Sequence, residues 1–126
     1  MKEILFRGKR IDTKEWVEGS YIYAHKWNWD GSAGHLICDI YGVNKTQVIS
    51  ETVGQFIGLT AKNEKMIFVG DVLRNHYGDL FLVVDEGTRV VLRTTKNKVH
   101  TWKYVHRYEI VGNIIDNPEL FERSKK

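Results

Sequence analysis

Residues 79–94 read Asp79-Leu80-Phe81-Leu82-Val83-Val84-Asp85-Glu86-Gly87-Thr88-Arg89-Val90-Val91-Leu92-Arg93-Thr94. Two runs rich in β-branched and aromatic residues flank a short acidic turn ending in glycine. Branched side chains are stiff at χ1 and pack well on a pleated surface, while glycine tolerates the positive φ of a tight turn. The stretch therefore predicts a β-hairpin, Asp79 to Val84 against Thr88 to Thr94, turning about Asp85-Glu86-Gly87.

The same pattern continues on both sides. Upstream, Met66 to Val69 leads into Gly70-Asp71 and then Val72-Leu73; downstream, Lys96-Asn97 is a second turn and Val99 to Val105 a further strand. Glu109 to Ile115 closes the series with an apolar run. Near the start, Ile4 to Phe6 is a first strand, followed by a polar turn through Asp12-Thr13-Lys14. Glu15 to Ala24 alternates, with Trp16, Glu18, Ser20 and Ile22 on one face and Val17, Gly19, Tyr21 and Tyr23 on the other. Asp30-Gly31-Ser32-Ala33-Gly34 is a hairpin loop, His35 to Tyr41 the returning strand, and Thr46 to Ile49 another short one. Thr52 to Leu59 is ambiguous, although Gly54 and Gly58 argue against a helix. In Asp116-Asn117-Pro118-Glu119, Asn117 can cap and proline suits the first helical position. Short strands separated by turn signals favour a small barrel or sandwich. The chain reads as all-β (mainly β), with a short C-terminal helical turn.

A length of 126 residues is most simply one domain. Such a chain buries roughly two-thirds of its unfolded surface on folding and needs no staples. Cys38 is the only cysteine, so no internal disulfide forms, and with five scattered histidines it makes no zinc cluster. That usage suits a reducing cytoplasm. No apolar run approaches about 18 residues, so no membrane partner is expected. Met1-Lys2-Glu3-Ile4-Leu5-Phe6-Arg7 lacks the apolar stretch of about 7 to 15 residues that a secretory signal needs, and is read as the start of the fold.

The net charge of +3 matters less than its layout. Between Gly87 and Tyr108 stand Arg89, Arg93, Lys96, Lys98, Lys103 and Arg107, with no Asp or Glu. The other 13 of the 19 basic residues face all 16 acidic ones, a net of −3. A mildly acidic remainder thus carries one basic stripe, which could also pair with the acidic remainder of a second copy in a homo-oligomer.

Several blocks together resemble the YopX-like family of phage and prophage proteins. One is Ile4-Leu5-Phe6-Arg7-Gly8-Lys9 followed by Trp16-Val17-Glu18-Gly19-Ser20-Tyr21. The most specific is Thr52-Val53-Gly54-Gln55-Phe56-Ile57-Gly58-Leu59, running through Lys62-Asn63 to Ile67-Phe68-Val69-Gly70-Asp71-Val72. The third is Glu109-Ile110-Val111-Gly112-Asn113-Ile114-Ile115-Asp116-Asn117-Pro118-Glu119-Leu120. The chain departs from the family where it has Ala61-Lys62-Asn63-Glu64, leaving Asn63 alone to supply a left-handed position, and where Phe68-Val69 precedes Gly70. The resemblance implies a phage-derived protein of the bacterial cytoplasm and a fold that includes an SH3-like barrel. It implies no reaction. On it, residues 1–126 are one domain, with an N-terminal β region to about 60, a barrel-like β region over about 61–121 and a frayed tail over 122–126.

Chemistry-bearing motifs are sparse. There is no Walker A loop, no dinucleotide fingerprint and no Gly-x-Ser-x-Gly elbow, so neither a cofactor nor a catalytic residue is expected. Cys38, mid-strand between Ile37 and Asp39, reads as a buried inert thiol. Asp71 after Gly70 reads as a turn carboxylate more readily than a base. His76 and Asp79 flank a hairpin loop; with Asp71 they are the candidates for a small metal-dependent hydrolase or nuclease. Trp27 and Trp29 beside the 30–34 loop are either partner anchors or core. On a strand from Val99 to Val105, alternation puts Lys98, His100, Trp102, Tyr104 and His106 on one face. Cations meet phosphates and flat rings stack bases, so residues 89–107, Arg89 and Arg93 through Lys96, Lys98, Lys103 and Arg107, make a candidate nucleic-acid face. The expected role is a non-enzymatic interaction module with a protein or nucleic-acid partner.

Overall fold

The computed structural model describes residues 4–39 and 44–124. It is mainly β, with two antiparallel sheets and one short helix, α1 (Pro118–Ser124). The chain divides into two compact units, Met1–Phe56 and Ile57–Lys126.

In the first unit, β1 (Phe6–Lys9) lies between β2 (Trp16–Ala24) and the start of β5 (Gly54–Thr60). β3 (Gly34–Cys38) returns antiparallel to β2 with Tyr21 opposite Ile37 and Tyr23 opposite His35, and β4 (Lys45–Gln47) adds to its far side. The alternation from Glu15 to Ala24 is thus a true strand, because its pairing fixes one face for Ile22 beside Leu36 and the other for Tyr21 and Tyr23. Leu36, Ile37, Cys38 and Val48 are buried, Cys38 as a free thiol. The expected strand end at Tyr41 lies outside the described residues.

The second unit holds the core that positions the candidate site. β5 and β6 (Met66–Phe68) are hydrogen-bonded neighbours. The second sheet runs β10-β9-β8-β7-β11, from β7 (Asp71–Arg74), β8 (Leu80–Asp85), β9 (Val90–Thr94), β10 (Val99–His100) and β11 (Glu109–Asn113). The strand order is that of an open sheet, with β10 and β11 at its two edges. Its register sets Leu73 opposite Phe81 and Val83 opposite Leu92. These side chains join Ala61, Ile67, Val105 and Tyr108 in one buried cluster, with Ile57, Val69, Val90, Trp102 and Ile110 packed around it. The hairpin over 79–94 forms as read, with Gly87 at φ 89° in its turn.

Two expectations need correcting. Residues 99–105 are not one strand: β10 stops at His100, and a 3-10 turn follows over Val105–Arg107. The turn chain Val105 N–H to Trp102 O (3.2 Å), Arg107 N–H to Tyr104 O (2.9 Å) and Tyr108 N–H to Val105 O (3.0 Å) replaces ladder bonds. Its spacing puts Trp102, Val105 and Tyr108 on the core side, a period of three in place of strand alternation. At the Ala61-Lys62-Asn63-Glu64 turn, Glu64 (φ 59°) shares the left-handed conformation with Asn63 (φ 63°). The helix opens at Pro118 as read, with Asn117 before it: the Asn117 backbone oxygen takes the Leu120 N–H (3.1 Å) and its side-chain oxygen accepts the Asn113 N–H (3.3 Å). The helix itself continues to Ser124, into the stretch expected to fray; residues 125 and 126 lie outside the described ones.

Candidate functional site

The basic stripe divides when folded. Glu86, one residue outside the acid-free window, accepts from Arg93 Nε at 2.9 Å and stands 3.8 Å from Arg89 Nε. Hairpin geometry causes this, since the turn that links β8 and β9 brings Glu86 back over the strand carrying Arg93. Arg93 also donates to Asn97 O at 3.0 Å. Two of the six cations therefore share one carboxylate, which offsets a single positive charge. Lys96 and Lys98 remain exposed on the β9–β10 turn, where Thr94 Oγ1 accepts their backbone N–H groups at 3.3 and 3.1 Å.

The aromatic members separate as well. The His100 ring stacks on Phe81 with centroids 4.4 Å apart, and its Nε2 lies 2.9 Å from the Tyr108 hydroxyl. Burial pushes the Tyr108 hydroxyl above its usual range, with Asp79 and Tyr104 adding to the rise. Trp102 is half-buried against the core. Tyr104 and His106 face water, because they fall between the inward positions of the 3-10 turn. Lys103 Nζ and Arg107 Cζ lie 5.4 and 5.6 Å from its ring centroid, within cation–π range.

Arg107 links Tyr104 to a second aromatic group that sequence reasoning passed over. It lines a shallow hollow with Lys62, Arg74, His76, Tyr77 and Glu109. Asn75 builds the loop at its rim: its Oδ1 accepts from the N–H groups of Tyr77 (3.0 Å) and Asp79 (2.9 Å). The closed loop leaves Tyr77 outside, 78% exposed, with the His76 ring 3.8 Å from its own. An aromatic residue beside Asn and Gly in a hairpin loop was the available signal. Gly78 also borders a neighbouring hollow lined by Asp79, Lys96, Lys98 and His100. The structure thus gathers Lys96, Lys98, Lys103, Tyr104 and Arg107 with Lys62 and Tyr77, and leaves Arg89 and Arg93 with Glu86.

The acid–base candidates do not meet. His76 and Asp79 line different hollows, and Asp79 accepts from Asn75 Nδ2 at 3.2 Å. Among the described residues no three His, Cys, Asp or Glu side chains are grouped to hold a metal ion. No described helix is long and apolar enough to cross a membrane. In the first unit, Trp27 lays its ring against the Gly34 backbone, where a Cβ would come within 2.7 Å, and is about half exposed. Trp29 stands fully in solvent on the adjoining loop.

Compared with known families, residues 5–122 match the model described as YopX protein. The chain belongs to the YopX family. No curated protein matches it.

In this YopX protein the most specific family block is structural. Gly70 takes φ 97° and Asp71 is 1% exposed, its Oδ2 accepting the Phe68 N–H at 2.8 Å. The carboxylate ties the end of β6 to the start of β7. Asp71→Ala is expected to lower the unfolding free energy by about 1.5–3 kcal/mol, the loss typical of a hydrogen bond to a charged group. Asp71→Asn, which keeps an acceptor, should lose less; urea titration reads both. A carboxylate serving only chemistry would leave stability unchanged in each.

Proposed function

We propose that this YopX protein is a non-enzymatic module that binds another macromolecule, in a bacterial cytoplasm and within a phage or prophage programme. One observation carries the reading: the exposed rings stand on loops beside cations, Tyr104 between Lys103 and Arg107 and Tyr77 beside Lys62 and Arg74. A tyrosine left in water adds little to folding, whereas Tyr and Arg anchor interfaces because they bring large contact area and donors with few torsions to freeze. Of the three candidates for reaction chemistry, Asp71 is held by the Phe68 backbone and Asp79 by Asn75, and His76 lines a different hollow from Asp79. Within the module we read the second unit as the SH3-like element. Its meander from β7 to β10, then a 3-10 turn before β11 returns to β7, supports that reading.

The test is gel filtration of a bacterial extract at low salt. The wild type is expected to travel with larger species, and Tyr77→Ala/Tyr104→Ala at its own size with an unchanged melting midpoint. A wild type that elutes alone, or a double variant that keeps the large species, overturns the proposal.

A further inference from the structure

The surface from Tyr104 across the Tyr77 hollow to the β9–β10 turn has the makings of a strand-binding track. Arg107 is common to both rings, lying over Tyr104 and lining the hollow of Tyr77. Gly78 is common to both hollows, so the cations Lys62 and Arg107 continue into Lys96 and Lys98. Against them stand Asp79, held by Asn75, and Glu109, paired with Arg74 at 2.5 Å. Positive charge therefore dominates along the track, and two exposed rings interrupt it.

We infer that this surface binds single-stranded nucleic acid, with phosphates along Lys62, Lys96, Lys98, Lys103 and Arg107 and bases stacked on Tyr77 and Tyr104. The inference rests on the module reading and names its partner. Stacking needs a free base face, which a single strand offers and a duplex hides between neighbouring pairs. Single-stranded DNA and RNA share the phosphates and the rings that these groups recognise. A protein partner fits less well: the Tyr77 hollow is lined by Lys62, Arg74, Asn75, His76, Arg107 and Glu109, with no aliphatic floor to bury. The surface differs from the face expected over 89–107. Arg89 and Arg93 belong to Glu86, His100 to Tyr108 and Trp102 to the core, while Lys62 and Tyr77 enter from other loops.

Fluorescence anisotropy of the whole chain with labelled 20-nucleotide DNA, the same RNA and the DNA duplex tests it. With about five phosphates engaged, affinity for the single strands should fall about 130-fold between 50 and 200 mM salt. Tyr77→Ala and Tyr104→Ala should each weaken binding about ten-fold with the salt slope unchanged. Arg107→Gln should flatten that slope by about 0.7. The duplex should bind more weakly than either strand. No binding at 50 mM salt, equal duplex affinity, or tyrosine variants that bind like the wild type would overturn the inference. A nuclease-treated extract separates the two proposals. Large species that survive nuclease while the oligonucleotides go unbound point to a protein partner and leave the module reading standing. A wild type that joins nothing in either experiment removes both.

Discussion

Leu73→Ala is expected to destabilise the chain by about 2–5 kcal/mol, the range for deleting a fully buried leucine side chain. Leu73 has no exposed surface and sits between Phe81 of β8 and Ile110 of β11, its register partners on either side. It lies at the centre of the second unit's cluster, so neighbours on both flanks lose contacts and the cavity cannot close by one side moving in. A domain is commonly stable by only about 5–15 kcal/mol, so the variant should unfold at a clearly lower urea concentration. The slope of the transition should stay unchanged, because the surface exposed on unfolding is nearly the same. Val99→Ala, on a half-exposed position of β10, should remain within about 0.5 kcal/mol of the wild type. Equal midpoints for the two variants would place Leu73 outside the core and invalidate the register from which the site is built.

Gly19→Ala should be as damaging in the first unit, for the opposite reason. A Cβ at Gly19 would sit 2.1 Å from the Cys38 carbonyl oxygen and 2.9 Å from its carbonyl carbon. The obstacle is backbone, which cannot rotate aside, so β2 and β3 must separate locally. Overpacking of this kind costs about 1–3 kcal/mol, and a contact this close belongs at the upper end. Gly34→Ala gives the contrast: its Cβ would meet the Trp27 ring at 2.7 Å, and a half-exposed ring can swing away. Thermal melts should rank Gly19→Ala well below Gly34→Ala, with the tryptophan emission shifting more in Gly34→Ala. The reverse ranking would mean that the β2–β3 pairing differs from the register described.

The strands were legible wherever hydrophobic alternation and turn chemistry agreed, as at 79–94 and from Glu15 to Ala24. They were misread at 99–105. There Trp102, Val105 and Tyr108 face the core at a three-residue period, whereas alternation groups Trp102 with Tyr104, and Thr101 Oγ1 accepts the Lys103 N–H at 3.2 Å to start the turn. The candidate surface was half legible for a related reason. Lys96, Lys98, Lys103, Tyr104 and Arg107 were marked by charge and ring type, but Lys62 and Tyr77 lie far off in the chain. Glu86 escaped notice as a neutralising partner because it lies seven residues from Arg93 in sequence, yet within hydrogen-bond reach across the hairpin.

By itself the amino-acid order determined the β class, the hairpins, the family and the buried thiol. Pleat, turn and side-chain stiffness act over a few residues, so their signature is local. Which cations stay free, which rings face water and whether acids meet imidazoles were decided only in the folded chain. Those outcomes depend on which strands become neighbours, and neighbours across a sheet can be any distance apart in sequence.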